Sequence, residues 1–192
     1  EGVSRAWEMP VTHPDERLLS LATYLKQAAP LVSEASRAVA GVNPSTLPAE
    51  MQAQVTRLQE ALSDGGEAIT DLQSLVNLGI AVLGHDRART YLFVFQNNAE
   101  LRPTGGFMGS IAEVTFDRGE IRSIRVPGGG PYDLRNQLLV RVRPPEALGL
   151  VSSRWEFQDA NWFPDFPTSA QKINWFWNKS GQPTLDGIVT IN

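Results

Sequence analysis

Residues 90–117 read TYLFVFQNNAELRPTGGFMGSIAEVTFD. Two apolar runs, 90–96 and 107–117, flank a polar loop, and how that loop is read decides the architecture. The first run is rich in aromatic and β-branched residues, as a buried strand requires. The second has the same character. Asp117-Arg118-Gly119-Glu120 then supplies a turn, and 121–126 (IRSIRV) a third strand, so 107–126 reads as a β-hairpin. Hairpin connections take roughly two to five residues. The loop between 96 and 107 is longer and chemically richer than that. Asn97, Asn98, Glu100 and Arg102 follow directly on a strand, where binding loops collect in α/β sheets. Arg102 suits forked hydrogen bonding to a phosphate or carboxylate, and Gly105-Gly106 lets backbone approach closely. The competing reading has the amides and Glu100 tie the loop together, with Arg102 paired to Glu100. Residue chemistry leaves both open.

Downstream, Pro127-Gly128-Gly129-Gly130-Pro131 ends the hairpin. With prolines on both sides and no helix evident after it, this glycine run reads as a flexible turn, not a phosphate cradle. Leu138 to Arg143 reads as a short strand with Arg141 and Arg143 on one face, stopped by Pro144-Pro145. Thr168-Ser169-Ala170-Gln171 is a capping box opening a helix to about Lys179. Ser180-Gly181 and Pro183 close that helix, and 185–191 (LDGIVTI) is a strand. Strand, hairpin, helix and strand make an α/β or α+β domain of three layers, with a mixed sheet and a flanking helix. The fold is expected to be incomplete at its C-terminus. A missing C-terminal segment or a partner chain would complete the sheet, since an open edge is a pairing liability.

Residues 1–85 have another character, and the division falls into a helical region 1–85 and a sheet domain 86–192. Ten acids against five bases give the first part a net charge of −5, whereas the second carries eleven acids and twelve bases, ten of them Arg. Leu18, Leu21, Leu25, Ala28, Val32, Ala35 and Val39 recur by threes and fours. Thr12 with Asp15 is the expected N-terminal cap, and Pro30 is expected to break or kink the helix. After the turn signal Gly41-Val42-Asn43-Pro44-Ser45 comes a second stripe: Met51, Val55, Leu58, Leu62, Ile69, Leu72, Val76 and Leu83. Asp64-Gly65-Gly66 is expected to interrupt it with a bend or loop. An antiparallel helical hairpin or small three-helix bundle follows, the two stripes satisfying each other; a dimerising coiled coil is the alternative.

The chain of 192 residues has 42% hydrophobic content and a net charge of −4. That balance argues against nucleic-acid binding, which calls for a basic domain. With no cysteine, neither a disulfide nor a thiolate metal site forms. No apolar run is long enough to span a bilayer. Glu1 stands where an initiator Met would, as in a processed or trimmed piece of a longer protein. No P-loop, dinucleotide fingerprint, HExxH or GxSxG motif occurs. His13 and His85 are the sole histidines, which disfavours histidine-based catalysis or metal binding. Carboxylates, amides and arginines remain. In DANWFPDFP, residues 159–167, Asp159 and Asp165 sit in an aromatic, proline-rich loop before a helix. They have the chemistry to hold Mg²⁺ or a sugar; acids at a helix N-terminus are equally good electrostatics. Trp162, Phe163, Phe166, Trp175, Phe176 and Trp177 are core packing on one reading and a glycan or lipid platform on the other.

The motifs YLFVFQNNAELRPTGGFMGS, DANWFPDFPTSAQK and DGIVTIN together resemble a bacterial domain family of unknown function, over about residues 85–192. That resemblance implies a domain exposed outside the cytoplasm and anchored by a membrane segment not present in this chain. More distantly, the order of elements resembles the LytR-CpsA-Psr transferases, which act on polyprenyl-pyrophosphate-linked glycans with Mg²⁺. Arg102 falls near the first-loop Arg of those enzymes. Their Pro-Arg-Asp element is replaced here by Pro127-Gly128-Gly129-Gly130, and Thr104-Gly105 stands where a metal-binding Asp is expected. Asp133, Arg135, Asp159 and Asp165 are the residues available to substitute. Three functions follow as expectations: a cell-envelope-associated binding or scaffold domain, a divergent Mg²⁺-dependent transferase on lipid-linked glycans, or a subunit of a surface filament or layer. The expected ligand-facing residues are Asn97, Asn98, Glu100, Arg102, Arg135, Asp159 and Asp165, with Asp159 and Asp165 as metal ligands. A cell-envelope glycan or lipid-linked glycan is the expected partner, and nucleic acid is not.

Overall fold

The computed structural model describes residues 12–192. Glu1, Arg5 and Glu8, which count in the acidic balance of the first part, lie outside the described residues. The chain divides into two units: residues up to Arg87 together with Arg118–Glu120, and Ala88–Asp117 with Ile121–Asn192.

The first unit is an antiparallel hairpin of two long helices, α1 (Asp15–Ala40) and α2 (Ala49–Val82). Helix α1 does not end at Pro30. One lost amide donor is a local cost, and a helix of 26 residues whose apolar stripe goes on half-buried through Val32, Ala35 and Val39 outweighs it. Its N-terminus also differs from expectation. Pro14 occupies the cap position, and Glu16 reaches back so that the Thr12 amide donates to its carboxylate at 2.9 Å. Asn43 then stops the chain for the next element, its side chain accepting from the Ser45 amide ahead of a 3₁₀ turn, Pro44–Thr46. Helix α2 runs without interruption through Asp64-Gly65-Gly66. Each glycine costs about 1 kcal/mol relative to alanine, too little to break a 34-residue helix whose apolar stripe continues on both sides. The two helices bury Leu21 and Leu25 against Val76, with Leu18, Ala22, Ile69 and Ile80 packed around them. No helix among the described residues is long and apolar enough to cross a membrane.

The second unit is a four-stranded mixed sheet with a helix on one face. Strands β1 (Arg89–Asn97), β2 (Phe107–Asp117), β3 (Glu120–Arg125) and β4 (Gly187–Ile191) lie in the order β3-β2-β1-β4. β1 pairs antiparallel with β2 and parallel with β4. Two α-helices belong to this unit, α3 (Glu146–Gly149) and α4 (Phe166–Lys179). Leu92 and Val94 of β1, Met108 and Ile111 of β2, and Ile173, Phe176 and Trp177 of α4 form one core with Trp155 and Phe157. The buried positions of β1 alternate, so 90–96 is covered on one face only and Phe95 is exposed on the other. The described sheet unit therefore has two layers instead of three. Phe176 and Trp177 are core residues with no exposure.

Two local readings change. Leu138–Arg143 is not a strand. It makes isolated bonds, Leu139 N–H to the Lys179 carbonyl and Trp155 N–H to the Val142 carbonyl, and lies outside the four-strand order. The glycine run leads into a 3₁₀ helix, Gly130–Leu134, with Gly130 at φ +58°. A Cβ there would stand 3.0 Å from the carbonyl oxygen of Gly109, where the β1–β2 register slips. Only glycine accommodates both the left-handed backbone and that approach.

Candidate functional site

The loop between β1 and β2 leaves the C-terminal end of β1, alongside the C-terminal end of its parallel neighbour β4. Asn97 starts it as an Asx turn: its Oδ1 accepts from the Ala99 amide at 3.1 Å and its carbonyl from the Glu100 amide at 3.1 Å. Its Nδ2 donates to the Glu100 carboxylate at 3.2 Å. The Glu100 carbonyl accepts from the Phe107 amide at 2.8 Å, and the Arg102 carbonyl from the Gly105 amide at 2.9 Å. At Gly106 a Cβ would lie 2.5 Å from the Asn97 carbonyl oxygen, so the loop closes on itself without room for a side chain. Asn97 and Glu100 are thus joined to each other, and Asn98 is exposed.

Asn161, from the second motif, holds this loop from beneath. It is fully buried, and its Nδ2 donates to the Gly106 carbonyl at 2.7 Å and to the Thr104 hydroxyl oxygen at 2.9 Å. Buried Gln96, last of the inward positions Leu92, Val94 and Gln96, also donates to Thr104 Oγ1 at 3.0 Å. Gln96, Thr104 and Asn161 were not among the expected site residues. The alternation of β1 carried a signal for Gln96, a polar side chain at an inward position. Nothing local marked the other two.

The ionic part sits on this frame. Arg102 approaches Asp159, not Glu100: Nη2 lies 3.9 Å from Oδ1, with 31% of the Arg102 side chain and 14% of the Asp159 side chain exposed. The guanidinium also stands 5.0 Å over the Phe107 ring, and its Nη1 donates to the Leu101 carbonyl. Phe107 packs on Tyr132, over which Arg135 stands at 5.9 Å. Arg135 Nε lies 3.4 Å from a Glu156 carboxylate oxygen. Burial raises the Asp159 pKa above the ordinary carboxylate value; nearby Arg102 opposes that shift and Glu156 adds to it. Arg102, Asp159, Glu156 and Arg135 are therefore one electrostatic group. Glu156 also lines a cleft of about 190 Å³ between Leu138–Val142 and Trp155.

Asp165 has a different employment. It is the N-cap of α4, accepting from the Thr168 amide at 2.9 Å and from the Thr168 hydroxyl. These bonds hold its pKa below the usual carboxylate range. The helix thus begins at Phe166, and the capping pair is Asp165 with Thr168, three residues ahead of the expected Thr168–Gln171 box. Phe166 and Pro167 fill the first turn, where proline loses no helical bond. Among the described residues, no group of three or more His, Asp or Glu is placed to hold a metal.

Comparison with curated proteins and with solved structures returned no match. A family model described as "Protein of unknown function (DUF4012)" matches residues 86–192, the whole of the sheet and the loop site. That match spans more than half of the chain, and the protein belongs to the DUF4012 family.

Proposed function

We propose that this protein is a cell-envelope binding domain, exposed outside the cytoplasm, whose Arg102 loop takes the phosphate or carboxylate of a wall glycan or lipid-linked glycan. The observation that carries this reading is the state of Arg102. Its contact with Asp159 is long, at 3.9 Å, and nearly a third of the side chain stays exposed. A guanidinium stacked on an aromatic ring keeps its orientation while offering its fork to an anion. The loop is prebuilt by Asn161, Thr104 and Gly106, which lowers the ordering cost of binding. Arg135 provides a second cation in the same electrostatic group. The cleft beside Glu156 offers apolar walls from Leu138, Val142 and Trp155 to the rest of the ligand. The envelope setting rests on the resemblance of the two long motifs to a membrane-tethered family.

A second reading, Mg²⁺-dependent transfer of a lipid-linked glycan, draws on the carboxylates beside Arg102. Mg²⁺ commonly takes one or two carboxylates plus substrate phosphates. Asp159 and Glu156 would hold it here, with a ligand's phosphates completing its shell. Asp165 is committed to Thr168. When bound, the ion would supply charge neutralisation at the phosphate.

The test is titration of the protein with a polyprenyl pyrophosphate in detergent, with and without Mg²⁺, following tryptophan fluorescence or heat. Arg102→Ala is expected to weaken binding by about tenfold or more, the worth of a charge-assisted contact. Binding by the wild type that Arg102→Ala leaves unchanged, or no binding by either, would sink the proposal. Release of pyrophosphate or glycan transfer in the Mg²⁺ arm would move the assignment to the second reading.

A further inference from the structure

Among the described residues, the most exposed large apolar side chains include Leu150 at 85%, Val151 at 84% and Leu139 at 79%, all on two loops of the sheet unit. The two loops are stitched together. Arg154 Nη1 donates to Asn136 Oδ1 at 3.2 Å, and the Trp155 amide to the Val142 carbonyl at 3.2 Å. Each loop is also pinned from within. Leu148 is buried in the core and Leu138 packs against it. The Leu139 amide donates to the Lys179 carbonyl at 3.0 Å, and the Ser152 amide to the Leu148 carbonyl at 2.9 Å. Leu138 and Leu148 fill the interior, and their neighbours Leu139, Leu150 and Val151 add little to it. Loops are ordinarily polar where the fold asks nothing of them. Leu101, exposed at 82%, stands beside Arg102 on the loop that reaches the same region through Asp159, whose carbonyl accepts from Trp155 Nε1 at 2.9 Å.

Positive charge accompanies these apolar tips. Residues 136–155 hold Arg141, Arg143 and Arg154 against Glu146, a net of 3 − 1 = +2 in a chain of −4. Arg141 and Arg143 are exposed and enter no ion pair among the described residues. We propose that these two loops dock the sheet unit on an anionic lipid surface, with Leu139, Leu150 and Val151 entering the boundary between headgroups and acyl chains. Arg141 and Arg143 then take lipid phosphates. The mixture of side chains selects that partner. Aliphatic tips among free arginines match a surface that presents phosphate above hydrocarbon. A guanidinium forks onto phosphate, but a soluble phosphate compound would leave the leucines in water. The contact does not rest on Arg102. It adds to the function proposed above by bringing the cleft between the loops to the level of lipid headgroups.

Flotation of the full chain with vesicles tests this. Binding is expected to vesicles of phosphatidylglycerol and phosphatidylcholine in equal parts, far more weakly to phosphatidylcholine alone, and less as salt screens the arginines. Leu139→Ser and Val151→Ser are each expected to weaken it by about tenfold, the worth of one buried aliphatic side chain. Arg141→Gln combined with Arg143→Gln is expected to weaken it by about tenfold or more. At such exposed positions the urea midpoint should not move, which separates a lost contact from a lost fold. Glycerol phosphate in solution is expected not to compete. Vesicle binding that is absent at every lipid concentration, equal on the two lipids, undiminished in the serine and glutamine variants, or abolished by glycerol phosphate would overturn the proposal. These vesicles carry neither glycan nor pyrophosphate, so failure here leaves the Arg102 proposal standing, and failure of the polyprenyl pyrophosphate titration leaves this one.

Discussion

Asn161→Ala is the sharpest perturbation of the loop frame. The side chain is fully buried and donates to the Gly106 carbonyl at 2.7 Å and to Thr104 Oγ1 at 2.9 Å. Two such bonds are worth about 1 kcal/mol each in net stability. Truncation also strands the buried Gly106 carbonyl, a penalty of about 1–3 kcal/mol. Against this, Asn161 Oδ1 is buried without a hydrogen-bond partner, and its removal recovers about 1 kcal/mol. The expected loss is about 2–4 kcal/mol. Trp155, Trp162, Trp175 and Trp177 all lie in the sheet unit, so urea unfolding followed by tryptophan fluorescence measures it. Asn161→Asp separates the donor from the mere volume. At neutral pH it sets a carboxylate against the Gly106 carbonyl, and it is expected to destabilise more than alanine. Protonation restores one donor, so its deficit should shrink in acid. A cost below about 0.5 kcal/mol for alanine, or an aspartate variant as stable as wild type at neutral pH, would refute the claim that the second motif holds the first.

Three further outcomes are expected. Asp159 has a pKa raised mainly by burial, so its contribution to stability is present below the ordinary value of 3.8 and is lost as pH rises through the shifted one. Asp159→Asn should therefore raise the melting temperature at neutral pH, with the gain vanishing in acid, as thermal melts across pH will show. Asp165 has a pKa lowered by its bonds from Thr168, so its contribution is present above 3.8 and is lost as pH falls through the depressed value; Asp165→Ala should lower the urea midpoint at neutral pH and converge with wild type in strong acid. Gly130→Ala, at φ +58° with a Cβ 3.0 Å from the Gly109 carbonyl oxygen, should cost about 1–2 kcal/mol or more in the same urea assay. Gly128→Ala, where a Cβ meets nothing within 4 Å, is the control expected to be near neutral.

The strands β1, β2 and β3, the turn between β2 and β3, and the helix before β4 were legible in the chain. Alternation, turn chemistry and a proline-glycine stop act over a few residues, and local physics suffices to read them. The errors came where a local signal met a longer one. Pro30 and Gly65-Gly66 each oppose a helix locally, yet the stripes from Leu18 to Val39 and from Met51 to Leu83 continue across them, and hairpin packing decides. Leu138–Arg143 has strand-like composition but no neighbour in the sheet order to pair with. The site divides in the same way. Arg102 and its loop could be singled out because the segment between 96 and 107 is longer and richer in amides and charge than a hairpin turn needs. That Arg102 meets Asp159, and that Asn161 bonds Thr104, could not be, since each contact joins residues 57 apart. Local sequence was enough for the four strands, the helix before β4 and the two polar loops where chemistry could gather. That Asp159 faces Arg102 follows from a long-range contact alone, while Asp165 caps a helix. Identical carboxylates take their roles from neighbours, and those neighbours come from chain segments that only folding brings together.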